Sequence, residues 1–540
     1  MVITRRGVGR WFALGIFAVS LAGVLIHLPR ASADNTTATA TTQKTAKTKT
    51  TAKTQKPASK RKVATANGAN SSARTTRSKT APRPRPAPIK PVPLTPLDPV
   101  PIEVGEGNPL ATFFQALEGL SSPAADAPGP PVVRIIHFGD SHVASDYWAG
   151  VLRENLQQRF GNAGPGFVLP GRPWQTIRYT EAKSLDGQGW RTDGLRLGEN
   201  DGVIGLGGMS LESYRAANPA SALAAFSQFE ILAATTPASD CLQVQVDDVD
   251  FPNLTAQAQP VIPAPSASPS ALFPEPSSRD LGGGAADPPE PPAPLTPVQR
   301  TKKRRKPLPP PVPPWRPWPA DSPLELLQLS STAALSAGPH RISIRSGCGS
   351  SARLLGVELF SGSKGILYDT DGVNGARLTD LEKPLPALRK ALLQESHPAL
   401  MIVSYGTNDI GTKGFTAAGY EETAFQILSK LKADAGDTSI LVTGPTDRGN
   451  ARKKMRTFIQ AAQAELQPAL RRAALRAGCA YWDQQAAMGG PGAMTRWVRA
   501  GLAAYDYVHL SGLGYKKLGD LLYDQLMIEY GKFEKAQSGE

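Results

Sequence analysis

Cysteine and histidine are scarce in this 540-residue chain, which has three of the first and six of the second. Three cysteines are too few for a disulfide-built scaffold, although they allow one bridge in an oxidising compartment. Cys241 and Cys348 are the favoured pair because both lie in one predicted β region, and Cys479 is expected to be a buried free thiol. With 40% hydrophobic residues, the fold is expected to depend on an ordinary apolar core.

Acidic residues are absent between Asn35 and Lys90, where fourteen lysines and arginines stand. These charges equal the net charge of +14 of the whole chain, so the remainder is close to neutral. The simplest interpretation is a solvated tail. A more specific interpretation is electrostatic contact of the tail with an anionic cell envelope. No aromatic residues stand between these charges for base stacking, so no nucleic-acid partner is expected.

The N-terminus carries an export pattern. Three arginines within the first ten residues precede an apolar run from Trp11 to Ile26, and Ala31-Ser32-Ala33 then suits signal peptidase. The alternative is an uncleaved membrane tether, since the run is nearly long enough to span a bilayer. Either way, the rest of the chain is expected outside the cytoplasm, in the periplasm or cell envelope.

Proline and glycine are abundant, at 50 and 51 residues, and they are concentrated in biased blocks. Residues 34–103 are rich first in Thr, Ala and Lys and then in Pro, a composition that cannot bury a core. This stretch is predicted to be a disordered linker. A second Pro-rich block, residues 252–320, is predicted to be a disordered loop within the folded region.

Two kinds of pattern surround these blocks. The apolar run Val132 to Phe138 predicts a strand, and apolar residues recurring every fourth position from Trp148 to Phe160 predict a helix. Strands alternating with helices predict an α/β fold with a parallel, doubly wound sheet. Further strands are predicted at Leu400 to Ser404, Ile440 to Thr443 and Ala480 to Trp482, and further helices at Ala451 to Arg476 and Leu513 to Tyr530. Residues 171–364, with short alternating segments between turns, predict an all-β module that interrupts the α/β domain.

Gly139-Asp140-Ser141-His142 is placed where the first predicted strand gives way to a helix. Ligands bind at the carboxyl ends of strands in open α/β sheets, close to helix N-terminal amides. Ser141 is therefore a candidate nucleophile, although a serine at this position is also a common helix cap.

Two later segments offer partners for such a serine. Asp506 and His509 lie three residues apart before the last predicted helix, so the carboxylate can bond one ring nitrogen while the other faces a nucleophile. Asn408 follows a predicted strand, where its amide could stabilise an oxyanion, an effect of about 3 to 4 kcal/mol per donor. Asn408-Asp409 is also ordinary turn chemistry.

Taken in order, these residues resemble the Ser, Gly, Asn and His blocks of the SGNH (GDSL-like) hydrolase superfamily. The Gly block is assigned to Gly375, which lies 33 residues before Asn408, room for one helix from Leu378 to Leu393 and the next strand. Another group of glycines precedes Asn408 by about two hundred residues and is not preferred: Gly205, Gly207 and Gly208.

The likeness narrows to the periplasmic peptidoglycan O-acetylesterases through Ser141-His142, the segment Phe160 to Phe167, and Leu355-Gly356-Val357 leading to Tyr368-Asp369. The resemblance implies a three-layer α/β/α hydrolase with an inserted carbohydrate-binding-module-like β domain. The domains are a signal peptide or anchor at 1–33, a disordered linker at 34–103, hydrolase parts at 104–170 and 365–540, and the β insert at 171–364 with its loop at 252–320.

The resemblance further implies an exported serine esterase that removes O-acetyl groups from a cell-wall glycan, with peptidoglycan as the expected substrate. Ser141 would be the nucleophile, His509 the base and Asp506 the orienting acid. The oxyanion hole would comprise Ser141, Gly375 and Asn408, and neither metal nor cofactor is required.

Other functions remain open on the sequence. An O-acetyltransferase could use the same residues with a sugar hydroxyl as acceptor, and a non-catalytic wall-binding adaptor could rely on the insert and tail. A metallophosphoesterase is disfavoured, because Asp140-Ser141-His142 offers its D-x-H but no Gly-Asn-His is present. The G-x-S-x-G elbow of α/β-hydrolases is absent.

Overall fold

A computed structural model describes residues 92–121, 131–172, 177–185, 187–197, 201–236, 241–258, 262, 313, 316–319, 322–410, 412 and 414–539. The predicted signal peptide or anchor, most of the linker and the interior of the Pro-rich block lie outside the described residues. Among the described helices, none is both long and apolar enough to cross a membrane.

Helices alternate with strands in the N-terminal and C-terminal parts of the described chain. The part between them consists almost entirely of strands. The α-helices are α1 (Ala111–Ser121), α2 (Ser141–Ala144), α3 (Trp148–Phe160), α4 (Pro386–Ser396), α5 (Ala417–Ala435), α6 (Lys453–Arg476), α7 (Gln484–Ala487), α8 (Ala493–Arg499) and α9 (Gly512–Ser538). The strands are β1 (Val132–Gly139), β2 (Asn162–Gly164), β3 (Gly166–Val168), β4 (Ala182–Ser184), β5 (Trp190–Gly194), β6 (Met209–Ser213), β7 (Ala220–Ala225), β8 (Gln228–Thr235), β9 (Leu242–Val246), β10 (Val249–Asp250), β11 (Leu254–Ala258), β12 (Glu325–Ser331), β13 (Pro339–Ser346), β14 (Ala352–Phe360), β15 (Gly365–Gly372), β16 (Leu400–Ser404), β17 (Ser439–Thr443) and β18 (Ala480–Trp482).

A six-stranded parallel sheet has the order β18-β17-β16-β1-β15-β2. Its register aligns the carboxyl ends of the central strands, because Gly139 pairs with Gly372 on one side and with Ser404 on the other, and Ser404 pairs with Thr443. The segments that follow these four strands therefore emerge side by side at one edge of the sheet.

Alternating apolar residues cover both faces of this sheet. In β16, Leu400 and Ile402 join the core formed with α1, α3 and α9, whereas Met401 and Val403 join the core formed with α5 and α6. Fully buried parallel strands need this apolar character on both faces. The result is the predicted three-layer α/β/α arrangement, and the fold class is confirmed.

Two antiparallel sheets lie in the sequence between β2 and β15. One has the order β10-β9-β13-β7-β4, and the other β11-β12-β8-β14-β6-β5 with β3 also pairing with β14. Phe167 and Val357 from these sheets share a core with Ile136 and Phe138 of β1. The antiparallel strands begin at Gly166, five residues before the predicted boundary at 171, because β3 already pairs with β14.

The prediction of a disordered linker up to residue 103 is wrong at its C-terminal end. Ile102 is buried, and Leu94, Leu97 and Val100 pack against the same core. The Trp482 Nε1–H group donates to the carbonyl of Val100 at 3.0 Å. Regularly spaced apolar side chains hold this proline-rich stretch on the folded domain.

The prediction of a loop across residues 252–320 is wrong at both of its ends. Leu254–Ala258 forms β11, which pairs with β12. Trp318 is 3% exposed, and its backbone N–H donates to Asp201 at 2.6 Å, whose carboxylate also pairs with the buried Arg353. The apolar residues at each end of the block therefore enter the fold despite its composition.

One predicted helix is divided. A 3-10 turn covers Leu378–Glu382 and α4 begins only at Pro386, in place of one helix from Leu378 to Leu393. Pro384 and Pro386 explain the break, since proline lacks an N–H group and disfavours helical conformation in the preceding residue.

The cysteines are placed as expected. Cys241 and Cys348 form a disulfide with their Cα atoms 5.7 Å apart, and Cys479 is buried and free. The bridge joins the start of β9 to the turn before β14.

Candidate active site

Ser141 lies at the junction between β1 and α2, as the sequence predicts. It is the first residue of α2, and the Asp140 side chain caps this helix by accepting the His142 N–H at 2.9 Å. The Asp140 carboxylate thereby supplies an acceptor to one of the first-turn N–H groups, which have none within their own helix. A Cβ on Gly139 would lie 2.2 Å from the Val143 side chain, so glycine is needed for this sharp turn onto the sheet edge.

A hydrogen-bonded relay connects Ser141 with the C-terminal segment. Ser141 Oγ lies 2.9 Å from His509 Nε2, and His509 Nδ1 lies 2.7 Å from Asp506 Oδ2. An ionised carboxylate only accepts, so Nδ1 carries the proton. Nε2 is then left to accept the Ser141 hydroxyl, which is the tautomer that a general base requires.

The loop carrying the acid and the base is held by its own backbone. Asp506 Oδ1 accepts the N–H groups of Val508 and His509 at 2.9 and 3.0 Å. Tyr507, which lies between Asp506 and Val508, has a φ of 61°. This loop lies between α8 and α9, so it precedes the last helix as predicted. It also brings His509 to Ser141, as predicted.

The charges of this relay favour a base that gains a proton readily. Burial opposes ionisation of Asp506, but the His509 ring and two backbone N–H groups outweigh it and lower the pKa of Asp506 to about 2. The hydrogen bond that His509 donates to Asp506 raises the pKa of His509 above its ordinary value, against the opposing effects of burial and Arg448. The His509 side chain is 40% exposed, so a ligand can reach it from solvent.

The turn that contains Gly375 lies beside the nucleophile. Val373 N–H donates to the carbonyl of Gly139 at 2.9 Å, and Ala376 N–H closes the turn on Val373 at 3.0 Å. Gly375 has a φ of 76°, which favours glycine. Of the glycines that were not preferred, Gly207 lies against Phe167, and Gly208 lies against Val373 of this same turn.

Asn408 lies next to this turn. Gly406, with a φ of 120°, redirects the chain after β16, and Asn408 Nδ2 then donates to the carbonyl of Ala376 at 3.0 Å. An amide nitrogen carries two hydrogens, so a second N–H can be offered to a ligand. The structure thus joins the Asn408 turn to the Gly375 turn as the sequence predicts.

Arg448 is a component of this site that the sequence interpretation missed. It follows β17, the fourth aligned strand, and its Nη1 donates to the carbonyl of Thr407 at 2.7 Å. Electrostatic interactions link it to Asp140, Asp506 and His509. No motif surrounds Arg448. The one signal in the sequence is that it follows the strand next to the strand that precedes Asn408.

Two other histidines near the site have structural partners. His137 lies on β1 between the Tyr368 hydroxyl and Ser404 Oγ, both at 2.8 Å. His142 Nδ1 contacts the Tyr515 hydroxyl at 2.8 Å. Trp148 is 1% exposed and belongs to the core, as expected for this helix face. In the described part of the chain, no cluster of three or more His, Cys, Asp and Glu residues is arranged to hold a metal ion.

Part of this chain matches a known protein family, and its fold is similar to that of solved structures. Residues 335–517 match the GDSL-like Lipase/Acylhydrolase family, a segment that begins after Ser141 and includes Gly375, Asn408 and His509. The solved structure of a peptidoglycan O-acetylesterase is similar over 80% of this chain and 99% of its own, with 20% identity and a TM-score of 0.54.

Two other solved structures are similar over a smaller part. A lipase/acylhydrolase from Enterococcus faecalis is 20% identical, covers 31% of this chain and 78% of its own, and has a TM-score of 0.24. A GDSL-like lipase from Bacteroides thetaiotaomicron is 15% identical, covers 31% of this chain and 76% of its own, and has a TM-score of 0.23. No curated protein matches the chain.

The three-layer fold and the family match define a serine ester hydrolase. Residues 335–517 match the GDSL-like Lipase/Acylhydrolase family, and the fold of the chain is similar to that of a peptidoglycan O-acetylesterase.

Proposed function

We propose that this chain is an exported esterase that removes O-acetyl groups from cell-wall polysaccharide, with peptidoglycan as substrate, through an acyl-enzyme on Ser141. The observation that carries the proposal is the Ser141–His509–Asp506 relay, with contacts of 2.9 and 2.7 Å, beside the joined Gly375 and Asn408 turns. Similarity to a peptidoglycan O-acetylesterase over 80% of this chain supports the choice of substrate.

In the first half-reaction, Ser141 Oγ attacks the acetyl carbonyl carbon while His509 Nε2 takes the hydroxyl proton. The carbonyl oxygen becomes an oxyanion, for which the N–H groups of Ser141 and Gly375 and the Asn408 amide are the proposed donors. The tetrahedral intermediate collapses with cleavage of the ester bond. The leaving sugar oxygen takes the proton from His509, and the acetyl group stays on Ser141.

In the second half-reaction, water replaces the sugar as the nucleophile. His509 takes a proton from this water, the hydroxide attacks the acetyl carbon, and Ser141 leaves with the proton returned from His509. The product, acetic acid, leaves and gives up its proton to solvent as acetate, and the enzyme is restored. Side-chain exposures of 40% for His509 and 48% for Asp506 give water direct access, which favours hydrolysis over transfer to a second sugar.

Export is part of the proposal. It rests on the N-terminal apolar run followed by Ala31-Ser32-Ala33, and on the disulfide between Cys241 and Cys348, a bond typical of oxidising compartments. The basic tail is proposed to contact the anionic envelope. Fractionation of cells expressing the full chain should place it in the periplasm or the membrane fraction, and recovery from the cytoplasm alone would exclude export.

The substrate is tested by measuring acetate release from O-acetylated peptidoglycan and from a small aryl acetate, with Ser141→Ala as the control. The proposal predicts release from both by the wild-type chain and from neither by the variant. Cleavage of the aryl ester alone would overturn the peptidoglycan assignment while leaving the esterase intact. Acetyl transfer to an added glycan, without free acetate, would favour the acetyltransferase.

A further inference from the structure

The backbone on both sides of Asn408 is held by arginine side chains. Arg448 Nη1 donates to the carbonyl of Thr407 at 2.7 Å, and Arg377 Nε donates to the carbonyl of Asn408 at 3.2 Å. Both peptide groups that flank the Asn408 Cα are therefore fixed. The direction of the Asn408 side chain follows from this backbone, which depends on a φ of 120° at Gly406.

The segment that carries Arg448 is itself held by α6. Gln463 on this helix is fully buried, and its amide bonds the segment twice. Its Nε2 donates to the carbonyl of Thr446 at 2.9 Å, and its Oε1 accepts the Arg448 N–H at 3.0 Å. The backbone from which the Arg448 side chain extends is therefore held in place.

The segment that contains Arg448 also contacts the loop that carries Asp506 and His509. Gly449 N–H donates to the carbonyl of Tyr507 at 2.9 Å. A Cβ on Gly449 would lie 3.2 Å from the Tyr507 Cβ, which is a close approach. Tyr507 stands between Asp506 and His509, so Arg448 and Gly449 connect the Asn408 turn with that loop.

Arg448 also contributes charge. The groups that face His509 are Asp506 on its own loop, Asp140, Ser141 and His142 at the start of α2, and Arg448. Asp506 and Asp140 raise the pKa of His509, and Arg448 lowers it. Burial lowers the pKa of Arg448 itself, but guanidinium remains charged in proteins.

We propose that Arg448 is a positioning residue that ties the Asn408 turn to the Asp506–His509 loop and presents a positive charge to that loop. This inference rests on the proposed roles of Asn408 and His509 in ester hydrolysis. Arg448 is not required to touch the substrate.

The test compares full-length Arg448→Met, Arg448→Lys and Arg377→Met with the wild-type chain on a neutral aryl acetate across pH. In Arg448→Met, kcat should fall about ten- to a hundredfold because the reacting groups are misplaced, with KM nearly unchanged. The acidic limb of the kcat/KM profile should also move to higher pH. In Arg377→Met, which loosens Asn408 from the other side, kcat should fall while the limb stays in place.

Arg448→Lys separates charge from position and remains informative if Arg448→Met does not fold. It keeps the positive charge but not the guanidinium geometry, so the limb should match the wild type while kcat stays low. Arg456→Met should behave as the wild type, because in the described part of the chain the Arg456 side chain donates to the carbonyl of Asn450 at 3.2 Å and not to the Asn408 turn.

Wild-type kcat in both Arg448 variants would overturn the proposal. A rise in KM with an unchanged kcat would also overturn it, since Arg448 would then bind substrate. Ser141→Ala is assayed in parallel: full activity in that variant would refute the proposed function itself and would identify the cause of failure.

Discussion

At the residue scale, three histidines near the nucleophile differ in their surroundings. Burial lowers the pKa of His137 to about 3, and burial followed by the charge of His509 lowers that of His142 to about 3. Both rings are therefore neutral at physiological pH. The hydrogen bond that His509 donates to Asp506 instead raises the pKa of His509, so among these three rings it is the one most readily protonated.

This difference predicts the pH dependence of hydrolysis. His509 must be neutral to accept the proton of Ser141, so kcat/KM should rise with pH as His509 loses its proton. Because its pKa is raised, the midpoint should lie above about 6.5. In Asp506→Asn the midpoint should move to lower pH and kcat should fall about 10³- to 10⁴-fold. A profile with the same midpoint in both proteins would show that another group titrates.

Asn408 provides a prediction about the oxyanion. Its Nδ2 bonds the Ala376 carbonyl at 3.0 Å, and its second N–H is the proposed donor to the intermediate. Asn408→Ala should lower kcat about 10²- to 10³-fold with a small change in KM, because the lost contact forms in the transition state. Steady-state kinetics on an aryl acetate measure this, and a loss confined to KM would place Asn408 in ground-state binding.

The residues of the candidate site differ in how far the sequence could predict them. Ser141, Asn408 and His509 stand in recognisable segments, and the structure brings those segments together. Arg448 could not be found in the same way. Its position depends on Gln463 of α6 and on Tyr507 of a distant loop, which are tertiary contacts that leave no local pattern.

At the scale of elements, segments with a clear hydrophobic pattern were predicted well, and segments of proline-rich composition were predicted poorly. The strand at Leu400–Ser404 has its predicted bounds, because a fully buried parallel strand is a continuous apolar run. β11 was missed because it is an edge strand that borders a proline-rich block. The last helix extends to Ser538, beyond the predicted Tyr530, because Phe533 still packs against α1 through Phe114.

The close approach of α2 to β15 predicts the effect of one substitution. A Cβ on Gly372 would lie 2.1 Å from the Ala144 backbone nitrogen, so Gly372→Ala must displace α2 and with it Ser141. We expect a loss of about 1 to 3 kcal/mol in the free energy of unfolding, together with reduced kcat.

Gly119→Ala is the matched control for this prediction. Nothing lies within 4 Å of a Cβ at this position in α1, so alanine should be neutral or stabilising by up to about 1 kcal/mol. Denaturant titrations with kinetics on each protein measure both effects. Equal stability and activity in the two variants would contradict the described packing of α2 on β15.

At the scale of the whole molecule, the antiparallel sheets share apolar core with the parallel sheet through residues such as Phe167 and Phe138. The composition of residues 171–364 predicted strands here but not this shared core, because side-chain packing between distant strands has no periodic signature. Destabilisation of the antiparallel sheets is therefore expected to reach the hydrolase sheet.

The disulfide tests this expectation. It joins residues 107 positions apart, so replacing both cysteines by serine should reduce the free energy of unfolding by about 2 to 5 kcal/mol. The wild-type chain should unfold in one thermal transition, and in the double variant this whole transition should move to lower temperature. Reductant should lower the Tm of the wild-type chain and leave that of the double variant unchanged. A separate early transition, with the remainder unaffected, would show that the sheets unfold independently.

The central claim is that Ser141 carries the acyl group, and the most direct test is to trap it. The full chain is quenched with acid during turnover of an isotopically labelled aryl acetate, and its peptides are examined by mass spectrometry. We predict a labelled acetyl group on Ser141 in the wild-type chain, and neither label nor acetate release in Ser141→Ala. Acetyl on another side chain, or undiminished acetate release by the variant, would contradict the account.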